Sequence, residues 1–154
     1  MTNRLLLLTA ALAAATFGPA SAALQLDRLG SYESRVFDES ATEIAAYDPS
    51  TQQVYVTNGK DDTVDVIDLS DPSAPARTGS LQFDALPGHP GAYASNSVSL
   101  ARGILAVSLE APATGQRGLI AFYRACRPVT DCADPLAIVP AGYLPDAVAF
   151  SPEG

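Results

Sequence analysis

The sequence has few of the residues from which catalytic sites are built. It contains one histidine, two cysteines, one methionine and no tryptophan in 154 residues. No G-x-S-x-G nucleophile motif occurs, and the glycine-rich stretches lack the strand–loop–helix context of a phosphate loop. His89 lies in a Gly- and Pro-rich loop between two repeat units. We expect it to cap the loop or face the solvent, with a ligand or general-base role as the alternative.

Basic residues are also scarce, with 9 Lys and Arg against 17 Asp and Glu and a net charge of −8. Nucleic-acid-binding proteins usually carry a basic patch, and docking on anionic lipid also needs basic residues. The composition therefore argues against nucleic acid and against an anionic membrane surface as partners. The negative charge is typical of a protein that stays soluble outside the cell.

The first 22 residues predict export. Arg4 precedes an apolar run over residues 5–17, and Ala20-Ser21-Ala22 has the small-x-small pattern of a signal peptidase site. The run is shorter than the roughly 20 apolar residues that span a bilayer. Cleavage after Ala22 is therefore favoured over a retained anchor, and we expect an extracellular, cell-surface or periplasmic protein.

Two cysteines, Cys126 and Cys132, are separated by five residues. In an exported chain this pair predicts a structural disulfide that closes a small loop, with free or intermolecular thiols as the alternative. A zinc site is disfavoured because no histidine lies nearby. Redox catalysis is disfavoured because the spacing is not C-x-x-C.

After residue 22 the sequence shows no helical pattern. Short β-type runs separated by Gly, Pro, Asn and Asp clusters follow instead, and these runs recur at a regular spacing. Three similar segments, over 43–47, 96–100 and 146–150, open at Glu43, Asn96 and Asp146, and each is predicted to be the first strand of a unit. The first period contains predicted strands over 43–47, 54–57, 63–69 and 77–83, and the second over 96–100, 104–109, 119–124 and 137–144. Four short strands in a period near fifty residues are typical of a β-propeller, so the predicted fold class is all-β.

Several spaced motifs resemble one family. Tyr55-Val56-Thr57-Asn58, followed by the DTVDVID run over 62–68, looks like the YVTN type of β-propeller repeat. Together with Asp71-Pro72-Ser73-Ala74-Pro75 and Leu144-Pro145-Asp146, it resembles the bacterial choice-of-anchor I family, whose relatives include a mesenchyme cell-surface glycoprotein. The resemblance covers residues 26–154. It departs over 126–132, an insertion where the family pattern has a short turn.

The resemblance implies a roughly seven-bladed propeller. Together with the export signal and the repeats, it predicts a division of the chain into three parts. These are a signal peptide (1–22), an N-terminal strand segment that completes the last blade (23–40), and an incomplete propeller of about two blades plus the first strand of a third (41–154). Closed propellers have about four to eight blades. We therefore expect the N-terminal fragment of a longer protein. Closure by oligomerisation, or a truncated reading frame without a function of its own, are the alternatives.

One acidic run suggests calcium at first sight. Asp61, Asp62 and Asp65 follow a strand closely, but they lack the D-x-D-x-D-G order and the distal glutamate of a calcium-binding loop. A solvated hairpin tip is the favoured interpretation.

A second constellation predicts part of a metal site. Glu43, Asn96 and Asp146 fall at the same register in three successive units, just before the strand that would line a propeller channel. Calcium takes about six to eight oxygen ligands, which later blades would complete. Solvated caps on the strand ends are the alternative, and Glu110 is a weaker candidate ligand.

The predicted function is a secreted or cell-surface scaffold that binds a protein or carbohydrate ligand and has no catalytic site of its own. We expect membrane attachment only through a C-terminal anchor outside this sequence. The resemblance also implies an alternative, the N-terminal part of an alkaline-phosphatase-like, metal-dependent phosphoesterase. In that case residues outside this chain would supply the catalytic site.

Overall fold

The computed structural model describes residues 24–37 and 42–154. The predicted signal peptide, 1–22, lies outside these residues. The first sheet contains β1 (Ala45–Asp48), β2 (Gln53–Asn58), β3 (Thr63–Asp68) and β4 (Ala76–Leu81). Each of these strands pairs antiparallel with its neighbour in sequence, so the sheet is an up-and-down meander.

A short ladder and a second meander follow. The ladder joins β5 (Ala85–Leu86) and β6 (His89–Pro90). The second sheet contains β7 (Ala94–Ala101), β8 (Ile104–Glu110), β9 (Leu119–Arg124) and β10 (Ala137–Pro140), again antiparallel and in sequence order. A 3-10 turn, η1 (Val129–Cys132), lies between β9 and β10. The all-β prediction is confirmed, and neither sheet closes on itself.

The β2–β3 hairpin shows why these residues form strands. Alternating β-branched and aromatic side chains favour the pleated backbone, and Tyr55 pairs with Val66 in the register. At the turn, the side-chain oxygen of Asn58 accepts hydrogen bonds from the backbone N–H groups of Lys60 (3.1 Å) and Asp61 (3.3 Å). Asp62 takes a left-handed backbone conformation with φ 55°, which aspartate tolerates better than most residues.

One face of each sheet builds a shared core. Side chains that alternate along the strands point to the same face, and the buried apolar residues of both sheets form a single cluster. Phe83 and Tyr123 meet edge to face in this cluster, with ring centroids 6.2 Å apart. The hydroxyl of Ser95 on β7 also donates to the backbone oxygen of Thr63 on β3 at 2.7 Å. Burial and this bond together hold the two sheets against each other. The core residues with the least exposure are Tyr55, Val64, Val66, Leu81, Leu105, Val107, Leu109, Ala121 and Tyr123.

Two predicted strands differ from the structure. The strand predicted over 146–150 is not formed, because the N–H groups of Val148 and Phe150 donate to the hydroxyls of Ser97 and Ser99, each at 3.3 Å, and not to backbone carbonyls. The strand predicted over 137–144 ends at Pro140, since proline has no N–H to continue the ladder. Residues 24–37 are irregular and have no strand partner in the described residues, and the N-terminal strand segment over 23–40, whose expected partner is the last blade, stays a prediction.

Candidate functional site

The structure places the three predicted metal ligands at different degrees of exposure. Glu43 and Asp146 are exposed, whereas Asn96 is half-buried on β7. The amide nitrogen of Asn96 donates to the Glu110 carboxylate at 3.4 Å and to the Pro145 carbonyl at 3.5 Å. Asn96 therefore meets the residue that precedes Asp146. The described part of the chain contains no group of three or more His, Cys, Asp or Glu that could hold a metal. The site formed by Glu43, Asn96 and Asp146 stays a prediction.

The acidic run at the β2–β3 hairpin is less solvated than the sequence suggests. Asp61 and Asp62 are exposed, but Asp65 is buried on β3. Its carboxylate pairs with Arg77 of β4 at 2.9 Å and accepts a hydrogen bond from the Asn58 amide at 3.2 Å. The interpretation as a solvated hairpin tip is therefore wrong for Asp65. The Arg77 cation on the neighbouring strand offsets the cost of burying this carboxylate.

The lone histidine occupies the connection between the two sheets. His89 lies on the two-residue strand β6 and is half-buried. It pairs with Leu86 in the short β5–β6 ladder, and its predicted role as a loop cap or solvent-facing residue stays a prediction. Its ligand or base role stays an untested alternative.

The insertion between β9 and β10 reaches across to the first sheet. A disulfide joins Cys126 and Cys132, whose Cα atoms are 6.2 Å apart. Between them, the Val129 side chain is buried beside Gly79 of β4. This disulfide loop therefore supports the packing of the two sheets.

Glu110, the weaker candidate ligand, lines a cavity that the sequence does not predict. The cavity has a volume of about 260 Å³ and lies between the β8–β9 connection and the segment after β10. Two residues that are far apart in the sequence line this cavity. Glu110 ends β8, and Tyr143 follows β10. The guanidinium of Arg117 lies 5.9 Å from the centre of the Tyr143 ring. A carboxylate and an aromatic ring that line one cavity offer a place for a cation.

Burial perturbs one further polar group, Tyr123, in the shared core. Its hydroxyl has no hydrogen-bond partner in the described residues. Desolvation by burial, with a smaller effect from the charge of Asp134, raises the pKa of Tyr123 to about 12. Burial therefore favours the neutral form of this hydroxyl.

Comparison with known proteins identifies a family. Neither the curated proteins nor the solved structures contain a match to the chain. The model of the choice-of-anchor I domain matches residues 43–154, a range that includes both four-stranded sheets. Within the described residues, no helix has the length and apolar character needed to cross a membrane. Because the family model covers most of the chain, this protein belongs to the choice-of-anchor I domain family.

Proposed function

We propose that this protein is a cell-surface-associated module, in which the two sheets are consecutive blades of a β-propeller scaffold that binds a protein or carbohydrate partner. The observation that carries the proposal is the family match over residues 43–154. The disulfide between Cys126 and Cys132 is consistent with an exported location, because disulfides persist in oxidising compartments.

The arrangement of the strands supports the propeller. Each sheet is a four-stranded antiparallel meander, which is the unit of a propeller blade. The first strands of the two sheets, β1 and β7, lie close to each other, and β2 also contacts β7. Blades arranged around a channel bring their first strands together in this way.

The face of the second sheet away from the shared core is only partly covered and supports the same proposal. Ala106, Ile120 and Phe122 lie on the face away from the shared core, and with Val148 and Phe150 they line an open cavity of about 320 Å³. Exposed apolar patches on sheets mark interaction surfaces. A third blade would cover this face as the first sheet covers the opposite one. No observation in the described residues favours the phosphoesterase alternative.

The location can be tested on cells of the source organism. Antibodies raised against the purified chain should label intact cells, and brief protease treatment of those cells should remove the label while a cytoplasmic marker stays intact. Labelling that requires permeabilised cells, together with full protection from protease, would overturn the surface proposal.

A further inference from the structure

The cavity beside Glu110 combines mostly apolar walls with one carboxylate. Ala111, Ala113, Tyr143 and Leu144 contribute apolar surface, and Glu110 contributes a negative charge. The walls come from two separate connections, the one between β8 and β9 and the one that leaves β10. A pocket of this composition suits a ligand with an aliphatic stem and a charged end.

Glu110 has little to offset its charge in the described part of the chain. The ion pairs that Arg77 and Arg127 form are with Asp65 and Asp68, and Glu110 takes part in neither of them. Its one hydrogen bond, from the Asn96 amide, is long at 3.4 Å. Arg117, the nearest cation in the sequence, lies over the Tyr143 ring instead. The carboxylate is therefore ready to accept a cation from outside.

The geometry points to the primary ammonium group of a lysine side chain on a partner protein. Asn96 donates only a long hydrogen bond to Oε2 of Glu110, and Oε1 is left to accept from an incoming cation. A compact ammonium needs only the free Oε1. The Tyr143 ring lines the cavity and adds apolar surface for the aliphatic stem of the lysine, while the Arg117 guanidinium lies over the ring. The chain carries a net charge of −8, which favours the approach of a basic partner.

This inference rests on the proposed function, in which the protein binds a partner. The lysine-binding measurement, however, does not depend on where the protein is located. Surface labelling of cells and binding of lysine are separate measurements, so the failure of one leaves the other standing.

The test is a titration of the ¹⁵N-labelled full chain with Nα-acetyl-lysine amide, followed by amide chemical shifts in NMR spectra at low salt. We expect saturable shifts at Thr114, Gln116 and Leu144, which line the cavity. Nα-acetyl-norleucine amide has a similar aliphatic stem without the charge and should give no saturable shifts. Nα-acetyl-arginine amide should bind more weakly than the lysine probe.

Glu110→Gln removes the charge but keeps the size and an acceptor for Asn96, and it should weaken lysine binding roughly tenfold or more. The matched control is Glu153→Gln, which removes an exposed carboxylate outside the cavity and should bind as the unmodified chain does. Tyr143→Leu should weaken binding several-fold and keeps the carboxylate.

Three results would overturn the inference. The first is equal binding of the lysine probe by the Glu110→Gln and Glu153→Gln variants. The second is binding of the norleucine probe as tightly as the lysine probe. The third is saturation of the same amides by calcium chloride at lower concentration, since this would assign Glu110 to a hard-cation site. Spectra that are unchanged elsewhere in the chain will show that each variant is folded.

Discussion

The guanidinium of Arg127 pairs with the carboxylate of Asp68 through two hydrogen bonds, from Nη1 to Oδ1 at 3.1 Å and from Nη2 to Oδ2. Arg127 belongs to the connection between β9 and β10 of the second sheet, whereas Asp68 ends β3 of the first. The Arg127 side chain is 46% exposed, and exposed ion pairs contribute little to stability. The pair therefore orients the disulfide loop, and burial of Val129 under the loop supplies most of its stabilisation.

Val129→Ala should lower the free energy of unfolding by about 1–3 kcal/mol, because it removes two buried carbon atoms and leaves a cavity. Val129 is 3% exposed. Urea denaturation of the purified chain measures the change. Thr130→Ala, at the exposed neighbouring position of the same turn, is the control and should change stability by less than about 0.5 kcal/mol. Equal effects at the two positions would show that the loop does not pack on the first sheet.

Gly79→Ala tests the same contact from the other sheet. A Cβ on Gly79 would lie 2.8 Å from Cγ1 of Val129, which is too close, so the substitution should cost about 1–3 kcal/mol. In the double variant Gly79→Ala with Val129→Ala, the shorter side chain makes room, and the combined loss should be smaller than the sum of the single losses. Additive losses in this double-mutant cycle would contradict direct contact.

Loss of the disulfide should also loosen the packing between the sheets. Replacing Cys126 and Cys132 by serine should lower the free energy of unfolding by about 2 kcal/mol, as expected for a short closed loop. Hydrogen exchange should become faster at the β4 amides around Gly79, which contact η1, while the β2–β3 hairpin amides serve as the internal control. Unchanged exchange at β4 would mean that the loop stays in place without its covalent bond.

The sequence predicted the strands well where the pattern is local. The β2–β3 hairpin and β9 follow from β-branched and aromatic runs and from the Asn58-Gly59 turn, all of which act within a few residues. The segment over 146–150 has the same local pattern, yet its N–H groups bond to the hydroxyls of Ser97 and Ser99. Its state depends on a neighbour about fifty residues away, which periodicity alone does not reveal.

The candidate site was harder to predict for the same reason. Glu110 and Tyr143 carry no shared motif, and only the return of the chain after β10 brings them to one cavity. Asp65 was placed in a solvated turn because its partner, Arg77, lies on another strand. A signal for the ion pair did exist, since both residues fall within predicted neighbouring strands. However, the register between β3 and β4 shifts between Val66 and Ile67. A regular strand pattern therefore does not predict that Asp65 and Arg77 meet.

Tyr123→Phe should leave stability unchanged or raise it by about 1 kcal/mol, because it removes a buried hydroxyl that has no hydrogen-bond partner in the described residues. The pKa of Tyr123 in the folded protein is raised to about 12, and this determines how the free energy of unfolding changes at alkaline pH. The unfolded chain loses this proton near the ordinary value of 10.0, so folding stability should fall as the pH rises from that value toward the folded pKa.

The measurement for Tyr123 is a urea denaturation series across this alkaline range, for the unmodified chain and for Tyr123→Phe. The variant should lose less stability than the unmodified chain as the pH rises. Tyr143→Phe, at an exposed tyrosine, is the control and should follow the unmodified chain. A steeper alkaline loss in Tyr123→Phe would contradict the burial argument.

Acid stability should depend on Asp48, at the end of β1. Its carboxylate accepts hydrogen bonds from the backbone N–H of Ser50 at 3.0 Å and from the hydroxyls of Ser50 and Thr51, each at 2.8 Å. Burial by itself raises the pKa of Asp48, but these bonds outweigh the burial and hold the pKa below its ordinary value of 3.8. A lowered folded pKa stabilises the protein above the unfolded value, and this stability is lost as the pH falls through the folded pKa.

Asp48→Asn should therefore be less stable than the unmodified chain by about 1–3 kcal/mol near neutral pH, and the difference should shrink toward zero in strong acid. Urea denaturation at a series of pH values measures both free energies. The pKa of Asp68 is also lowered, chiefly by hydrogen bonds from Ser70. Because this effect is the same in the unmodified chain and in Asp48→Asn, it cancels when the two free energies of unfolding are subtracted. Asp84→Asn, at an exposed position, is the matched control and should follow the unmodified chain throughout. A stability difference for Asp48→Asn that stays constant down to strong acid would show that the charge of this carboxylate does not stabilise the fold.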